Sequence, residues 1–193
     1  MPSLQSSALF TDISVDPRSR IGVAGCLLLS IEFLDTPPHD IDRGELSGKL
    51  LCRRFTDTSS TKLELQAVLW GVELYRTMVP YHERCGLRLY TDSQCVSGLE
   101  ARRERLEESD YRAARSGRQL ANADLYAKLF AAKDELGFEI LKVAGHSRSS
   151  SHDSVQRIFS IVDRGARRTL KLWNSSLQTG ASLEEPSSER LQS

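Results

Sequence analysis

The stretch Leu89-Tyr90-Thr91-Asp92-Ser93-Gln94 is the most informative part of this sequence. It is an apolar run that ends in a single carboxylate, and polar residues that favour a helix start follow at once. This pattern predicts a buried strand with Asp92 at its carboxyl end, where α/β folds place their functional groups. A strand followed by Asp-Ser is also typical of an ordinary helix cap, so the stretch alone leaves both interpretations open.

The composition is that of a globular protein with one domain. The chain has 193 residues, no net charge and 39% hydrophobic residues. A domain of this size and composition can form a hydrophobic core that needs no disulfide bonds or structural metal ions. It contains no apolar run of membrane-span length, and Met1 to Gln5 lacks the basic and apolar segments of a signal peptide. Its cysteines form no CxxC pair; they are Cys26, Cys52, Cys85 and Cys95. We therefore expect reduced thiols in a cytoplasmic monomer that has no membrane contact.

The charges are distributed unevenly along the chain. Residues 142–172 carry seven Lys and Arg against two acids, whereas residues 30–48 carry five acids against Arg43. Zero net charge argues against a protein that coats nucleic acid over its whole surface. A localised basic face suits a polyanion bound on one side, and a solvated helix face is the alternative.

Apolar periodicity predicts the element order β-β-β-α-β-α-α-β-α. Strands are predicted at 9–15, 21–33, 49–55, 87–90 and 138–143, and helices after residue 61 and at about 96–115, 122–135 and 153–172. Three consecutive strands form an antiparallel meander, and helical crossovers add two parallel strands. The predicted fold class is thus α/β, a five-stranded mixed sheet flanked by helices. We expect a folded domain at 9–172, with disorder at 1–8 and in the polar tail 173–193.

Three further acids stand in contexts that resemble the context of Asp92. Asp12 lies on the first strand, Glu64 in the first turn of the first helix, and Asp163 within the last helix. If the first and fourth strands are neighbours, their carboxylates converge, and four such groups would suit a hard divalent cation. Singly, each acid has an ordinary explanation. Glu64 is favoured by the helix dipole, and Asp163 can pair with Arg167 one turn later.

Five short motifs, in order, resemble those of the type 1 ribonuclease H family over about residues 8–172. They are Phe10-Thr11-Asp12-Ile13-Ser14 with Gly22-Val23-Ala24-Gly25, Thr61-Lys62-Leu63-Glu64-Leu65-Gln66-Ala67, Tyr90-Thr91-Asp92-Ser93-Gln94, Lys142-Val143-Ala144-Gly145-His146 and Asp163-Arg164-Gly165-Ala166-Arg167. The resemblance implies a ribonuclease H-like fold. It also implies a hydrolase, a magnesium-dependent endonuclease that cleaves the RNA strand of RNA–DNA hybrids with two metal ions.

The resemblance also implies a role for each acid. Asp12 would bridge two Mg²⁺ ions, Glu64 and Asp92 would hold one, and Asp163 would complete the other, with Mn²⁺ as the alternative metal. His146 would assist proton movement or product release, as its titration range allows. His152 competes for that role because it lies in the same Ser-rich segment.

Substrate contacts are expected from polar residues beside these motifs. By the same resemblance, Ser59, Ser60 and Thr61 would hold the nucleic-acid strands, with Gln94 and Asn122 as weaker candidates. Residues 101–118 occupy the position of the family's basic handle and contain six arginines and four acids. They are either such a handle or a salt-bridged solvent helix.

Several departures from the family pattern bear on the substrate. Ile13 stands where the family typically has glycine, and its branched side chain could crowd the approach of the RNA strand. The segment 35–48 is long and acidic, the segment between His146 and Asp163 is long, and Phe159 replaces a polar partner of Asp163. Two alternatives follow. One is a nuclease of this fold that acts on double-stranded RNA or structured DNA, and the other is a non-catalytic module that binds nucleic acid or protein.

Overall fold

A mixed sheet with helices on both faces makes up the computed structural model, which describes residues 5–144 and 153–179. The strands are β1 (Gln5–Asp16), β2 (Ile21–Ser30), β3 (Leu51–Phe55), β4 (Arg84–Thr91) and β5 (Glu139–Lys142). The helices are α1 (Arg43–Lys49), α2 (Ser60–Met78), α3 (Gln94–Ser97), α4 (Arg103–Glu108), α5 (Ala123–Leu136) and α6 (Ser154–Thr179). Short 3-10 turns lie at Ile31–Asp35, Pro38–Asp40, Tyr81–Glu83 and Glu100–Arg102.

The sheet has the strand order β3-β2-β1-β4-β5. β1 pairs antiparallel with β2, and β2 pairs antiparallel with β3. β4 then lies parallel to β1, and β5 lies parallel to β4. The predicted fold class, three antiparallel strands followed by two parallel strands in a ribonuclease H-like α/β sheet, is therefore confirmed.

Side chains of β1 alternate between two apolar layers, as strand geometry requires. Leu9 is fully buried with α2 and α5 on one face, and Phe10 is fully buried against α6 on the other. Phe10 also stacks on Tyr90 of β4, with ring centroids 4.7 Å apart. β1 is thus the central strand, covered on both faces.

Two glycines let helices approach the central strands closely. A Cβ on Gly71 of α2 would lie 3.1 Å from Leu9 Cδ2 of β1. A Cβ on Gly25 of β2 would lie 3.1 Å from Val162 Cγ1 and 3.2 Å from the Val162 carbonyl oxygen of α6. Because Gly25 pairs with Asp12 across the sheet, the backbone of α6 comes closest beside that carboxylate.

The predicted disorder at both ends was wrong where the structure describes those residues. β1 begins at Gln5, and Ala8 is fully buried opposite Leu29. α6 continues to Thr179, and Trp173 is buried beneath the guanidinium of Arg54. Pairing and packing with distant elements order these segments, and short-range composition does not reveal such contacts. Residues 1–4 and 180–193 lie outside the described residues.

Two internal predictions also differ from the structure. The second strand ends at Ser30 rather than 33, and the acidic loop contains α1, whose first amides are capped by the Asp42 carboxylate. The single helix predicted at 96–115 is two short helices, α3 and α4. The helical segment does not continue to residue 115, because Asp110 and Tyr111 adopt positive φ angles of 50° and 53°, which a right-handed helix cannot contain.

Within residues 5–144 and 153–179, none of the helices combines the length and apolar character that a membrane crossing needs. Cys26, Cys52 and Cys95 are free thiols.

Replacing Gly25 with alanine tests the close approach of α6. The added methyl group would meet Val162, so we expect the free energy of unfolding to fall by about 1–2 kcal/mol. Gly48→Ala in α1 is the matched control, since nothing lies within 4 Å of its Cβ position and alanine favours a helix. Urea denaturation measures both variants, and equal losses would contradict the packing argument.

Candidate active site

The parallel pairing of β1 with β4 brings two of the predicted acids together. Phe10 pairs with Tyr90, so Asp12, within β1, and Asp92, directly after the end of β4, stand side by side, each two residues beyond that pair. Asp12 is buried, with 9% of its surface exposed, whereas Asp92 is exposed. A small cavity between them is lined by Thr11, Asp12, Ile13, Glu64, Ala67, Thr91, Asp92 and Ser93.

The other two acids reach this edge from opposite faces of the sheet. Asp163 of α6 shares a side-chain hydrogen bond with Asp12, and its Oδ1 also lies 2.7 Å from Arg167 Nε. Glu64 approaches from α2 and lies in the second turn of that helix, because α2 begins at Ser60. Glu64 is the fifth residue of α2, so it lies just beyond the first turn in which it was predicted.

Ser93 holds Glu64 in place. The Ser93 hydroxyl donates to Glu64 Oε2 at 2.7 Å. Ser93 Oγ also accepts a hydrogen bond from the Val96 amide at 3.1 Å and so caps α3. The sequence signals only the capping role of Ser93, because a Ser before a helix is common and nothing local reveals a partner 29 residues away.

Burial and mutual repulsion raise the pKa values of the central carboxyls. The pKa of Asp12 rises to about 8, first through burial and then through the negative charge of Asp92, with a smaller contribution from Asp163. The Ile13 amide opposes this shift by donating to the Asp12 carboxylate. Burial and the charge of Asp92 also raise the pKa of Glu64, against the hydrogen bond from Ser93. The site therefore holds an excess of negative charge that a cation would neutralise.

The donor set of the site suits a hard cation, because all four groups are carboxylates. Among the described residues, however, no three Asp, Glu, His or Cys side chains stand in a group arranged to hold a metal ion. Two of the four acids bond elsewhere, Glu64 to Ser93 and Asp163 to Arg167. Each of these bonds uses one carboxylate oxygen, so the other oxygen of Glu64 and of Asp163 is still available to a cation.

The predicted substrate residues lie at the amino ends of three helices, α2, α3 and α5. Ser60 and Thr61 are exposed in the first turn of α2, and Gln94 is exposed at the start of α3. Ser59 caps α2 by accepting the Lys62 amide, and Asn122 shares a side-chain hydrogen bond with Tyr126. His146 and His152 both lie outside the described residues.

Part of the arginine-rich segment 101–118 serves the fold rather than a ligand. Arg102 donates to the carbonyl groups of Cys95 and Gly98. Arg103 makes paired hydrogen bonds of 2.6 and 2.7 Å with Asp134. The remaining exposed arginines without a salt bridge among the described residues are Arg105, Arg115 and Arg118.

Ile13 is turned away from the carboxylate that precedes it in sequence. Its half-buried side chain packs with Leu63 and Ala67 of α2, on the face of the sheet opposite α6. The Ile13 backbone nevertheless lines the cavity beside Asp12 and donates its amide to that carboxylate.

Asp12→Asn is expected to be more stable than wild type, by a difference that grows as the pH rises. A carboxyl whose pKa is higher in the folded state than in the unfolded state loses stability between those two values, here from about 4 to about 8. Asparagine removes that loss, so the variant should gain up to about 5 kcal/mol over wild type at pH 8 and nothing at pH 4. Urea denaturation across this range is the measurement.

Asp16→Asn provides a control of opposite sign. Hydrogen bonds from Ser19 and from the Arg18 amide hold the pKa of Asp16 below its usual value. Its contribution to stability is therefore present above the unfolded pKa and lost in acid. This variant should be less stable than wild type at neutral pH, and parallel pH profiles for the two variants would contradict the assignment.

Ser93→Ala should disturb Glu64 as well as the cap of α3. Loss of both hydrogen bonds is expected to lower the free energy of unfolding by about 1–2 kcal/mol and to raise the pKa of Glu64 further. Chemical denaturation and carboxyl ¹³C NMR titration measure the two effects. Ser97→Ala in the same short helix is the control, and an unchanged Glu64 titration in Ser93→Ala would refute the link.

Comparison with solved structures supports the fold. The chain resembles a structure described as foamy viral protease-reverse transcriptase in complex with dsDNA, with a TM-score of 0.54 and 9% sequence identity. The alignment covers 86% of this chain and 96% of that one, and at this identity it shows the fold alone. No curated protein matches the chain in sequence.

A family model matches most of the sequence. The model of the family described as RNase H matches residues 5–157, which include Asp12, Glu64 and Asp92 and end before Asp163. The motifs, the strand order and this match agree with one another. The chain belongs to the RNase H family.

Proposed function

We propose that this protein is a divalent-metal-dependent endonuclease that hydrolyses the RNA strand of RNA–DNA hybrids. The observation that carries the proposal is the convergence of Asp12, Asp92 and Asp163 at one edge of the sheet, with Glu64 beside them. Membership of the RNase H family supports hydrolysis of a phosphodiester as the reaction.

The proposed cofactor is Mg²⁺, as two ions held by Asp12, Glu64, Asp92 and Asp163, with Mn²⁺ as the alternative. Bound ions would supply an activated water and neutralise charge at the phosphate. Asp12 is the anchor in this scheme, because its buried carboxylate has the most unfavourable charge to be compensated. Ser93 orients Glu64, and Arg167 positions Asp163 until a cation competes for it.

The exposed polar groups around the acids are proposed to bind the substrate. Ser60 and Thr61 stand at the amino end of α2, where hydroxyl groups and free amides suit a phosphate. Gln94, at the start of α3, can reach the 2′-hydroxyl or a base edge on the other side of Asp92. His146 is proposed to move a proton to the leaving oxygen or to assist product release.

Nucleic acid as the partner has further support. The foamy viral structure with this fold is described as a complex with double-stranded DNA. Exposed guanidiniums at Arg105, Arg115 and Arg118 offer contacts to phosphates, although Arg102 and Arg103 are bonded within the fold.

A different duplex is the second candidate substrate. The backbone beside Asp12 carries a branched residue, and Ile13 lines the same cavity as the acids. A side chain at this position bears on how closely a strand approaches Asp12. This feature is the reason to test double-stranded RNA and structured DNA as substrates. Faster cleavage of either duplex than of the hybrid would select this candidate.

Cleavage of strand-labelled duplexes tests the proposal. With Mg²⁺, wild type should cut the RNA strand of a hybrid faster than it cuts double-stranded RNA or duplex DNA. Asp92→Asn should reduce the rate by at least about a hundredfold, because it removes one metal-ligand charge. Asp124→Asn, an exposed position on α5, is the control and should cleave like wild type.

Thermal unfolding gives a readout that does not depend on activity. Mg²⁺ should raise the Tm of wild type and leave that of Asp92→Asn much less changed. Faster cleavage of another duplex would select the second candidate. If no duplex is cleaved in the presence of Mg²⁺, and Mg²⁺ changes the Tm of neither wild type nor Asp92→Asn, the protein is a non-catalytic binding module.

A further inference from the structure

A groove of about 450 Å³ lies between α1, β3 and α6. Leu50, Ile161 and Leu172 give it apolar walls, and Ser47 and Thr169 add hydroxyl groups. Leu50 presses so closely on α6 that a Cβ at Gly165 would lie 2.0 Å from its Cδ2. The groove is therefore formed by the close packing of Leu50, at the end of α1, against α6, and its size suits a small ligand.

Three guanidiniums border the groove: Arg43 from α1, and Arg164 and Arg168 from α6. All three are exposed, and among the described residues none of them forms a salt bridge and no carboxylate lines the groove. Arg164 donates only to the carbonyl and hydroxyl of Ser160. Neighbouring acids are bonded elsewhere, Glu45 to Lys49 and Asp163 to Arg167. The groove thus has concentrated, uncompensated positive charge.

The groove and the acid site lie on opposite flanks of α6. Ile161, Arg164, Arg168 and Leu172 follow the three- and four-residue spacing of one helix flank. Asp163, by the same periodicity, lies on the other flank, where it meets Asp12 of β1. A ligand in the groove would therefore not occupy the place of the four acids.

We propose that this groove binds the phosphate group of a nucleotide-sized ligand. A phosphate dianion matches the charge of three guanidiniums better than a single carboxylate does, and its oxygens suit the forked N–H groups of arginine. The hydroxyl of Ser47 can donate to the same oxygens, whereas that of Thr169 shares a hydrogen bond with Cys52 in the groove wall. The walls formed by Leu50, Ile161 and Leu172 then cover the sugar or the base.

A phosphate attached to a nucleoside occurs in two kinds of ligand, a free nucleotide and the 5′-phosphorylated end of a nucleic-acid strand. This site goes beyond the proposed nuclease function, since it uses none of the residues assigned to cleavage. Binding here can be present or absent whatever the outcome of the cleavage assays.

Calorimetric titration of the full chain tests the proposal. The measurement uses Asp92→Asn with a chelator present, so that metal-held phosphate at the acid site does not contribute. Adenosine 5′-monophosphate should bind at least about tenfold more tightly than adenosine, and inorganic phosphate should compete with it. A dinucleotide with and without a 5′-phosphate distinguishes the strand end from the free nucleotide.

Charge-removing variants locate the site. Arg168→Gln and the double variant Arg164→Gln/Arg168→Gln should weaken binding of the monophosphate by about tenfold or more, and added salt should weaken wild-type binding. Lys128→Gln removes one exposed charge from α5, on the opposite face of the sheet, and should change affinity less than twofold. Amide NMR shifts confined to Ser47, Gly165 and Thr169 would place the ligand independently.

Three results would overturn the proposal. They are equal affinity for adenosine and its monophosphate, binding that survives the double arginine variant, and binding of an acidic peptide without any binding of phosphate. The last result would assign the groove to a protein partner instead.

Discussion

The parallel pairing of β1 with β4 is the constraint on which the candidate active site depends. It sets Asp12, within the strand that is covered on both faces, beside Asp92, which directly follows the neighbouring strand. Burial and repulsion then make the Asp12 carboxylate unfavourable and raise its pKa to about 8. A buried charge of this kind lowers stability and persists where function requires it, which is the usual relation between stability and activity.

The surrounding structure holds this unfavourable charge through specific contacts. Gly25 has no side chain, so α6 can lie close enough for Asp163 to share a hydrogen bond with Asp12. Ser93 follows Asp92 in the turn after β4, caps α3 and fixes Glu64 on the other face. α6 separates the excess negative charge on one flank from the arginine groove on the other. A chain with no net charge can therefore present two strongly charged regions of opposite sign.

Apolar periodicity, a local signal, predicted the elements and the fold class, and the meeting of Asp12 with Asp92 followed from it on the condition that the first and fourth strands are neighbours, which the structure satisfies. Prediction from the sequence failed where distant contacts decide the structure. Ala8 is ordered by pairing with β2, and Trp173 by Arg54, and composition shows neither contact. It also missed the bond between Ser93 and Glu64, because residues far apart in sequence make it. The split of the predicted helix at 96–115 depends on positive φ angles at Asp110 and Tyr111, residue types that do not require them.

The central claim is that Asp12 is a buried carboxyl kept from its usual ionisation until a cation compensates the site. Carboxyl ¹³C NMR titration of Asp12, with and without Mg²⁺, tests it most directly. The account predicts a pKa far above the usual value of an aspartate, near 8, in metal-free protein and a large decrease when Mg²⁺ is present. An ordinary aspartate pKa that Mg²⁺ does not change would contradict it.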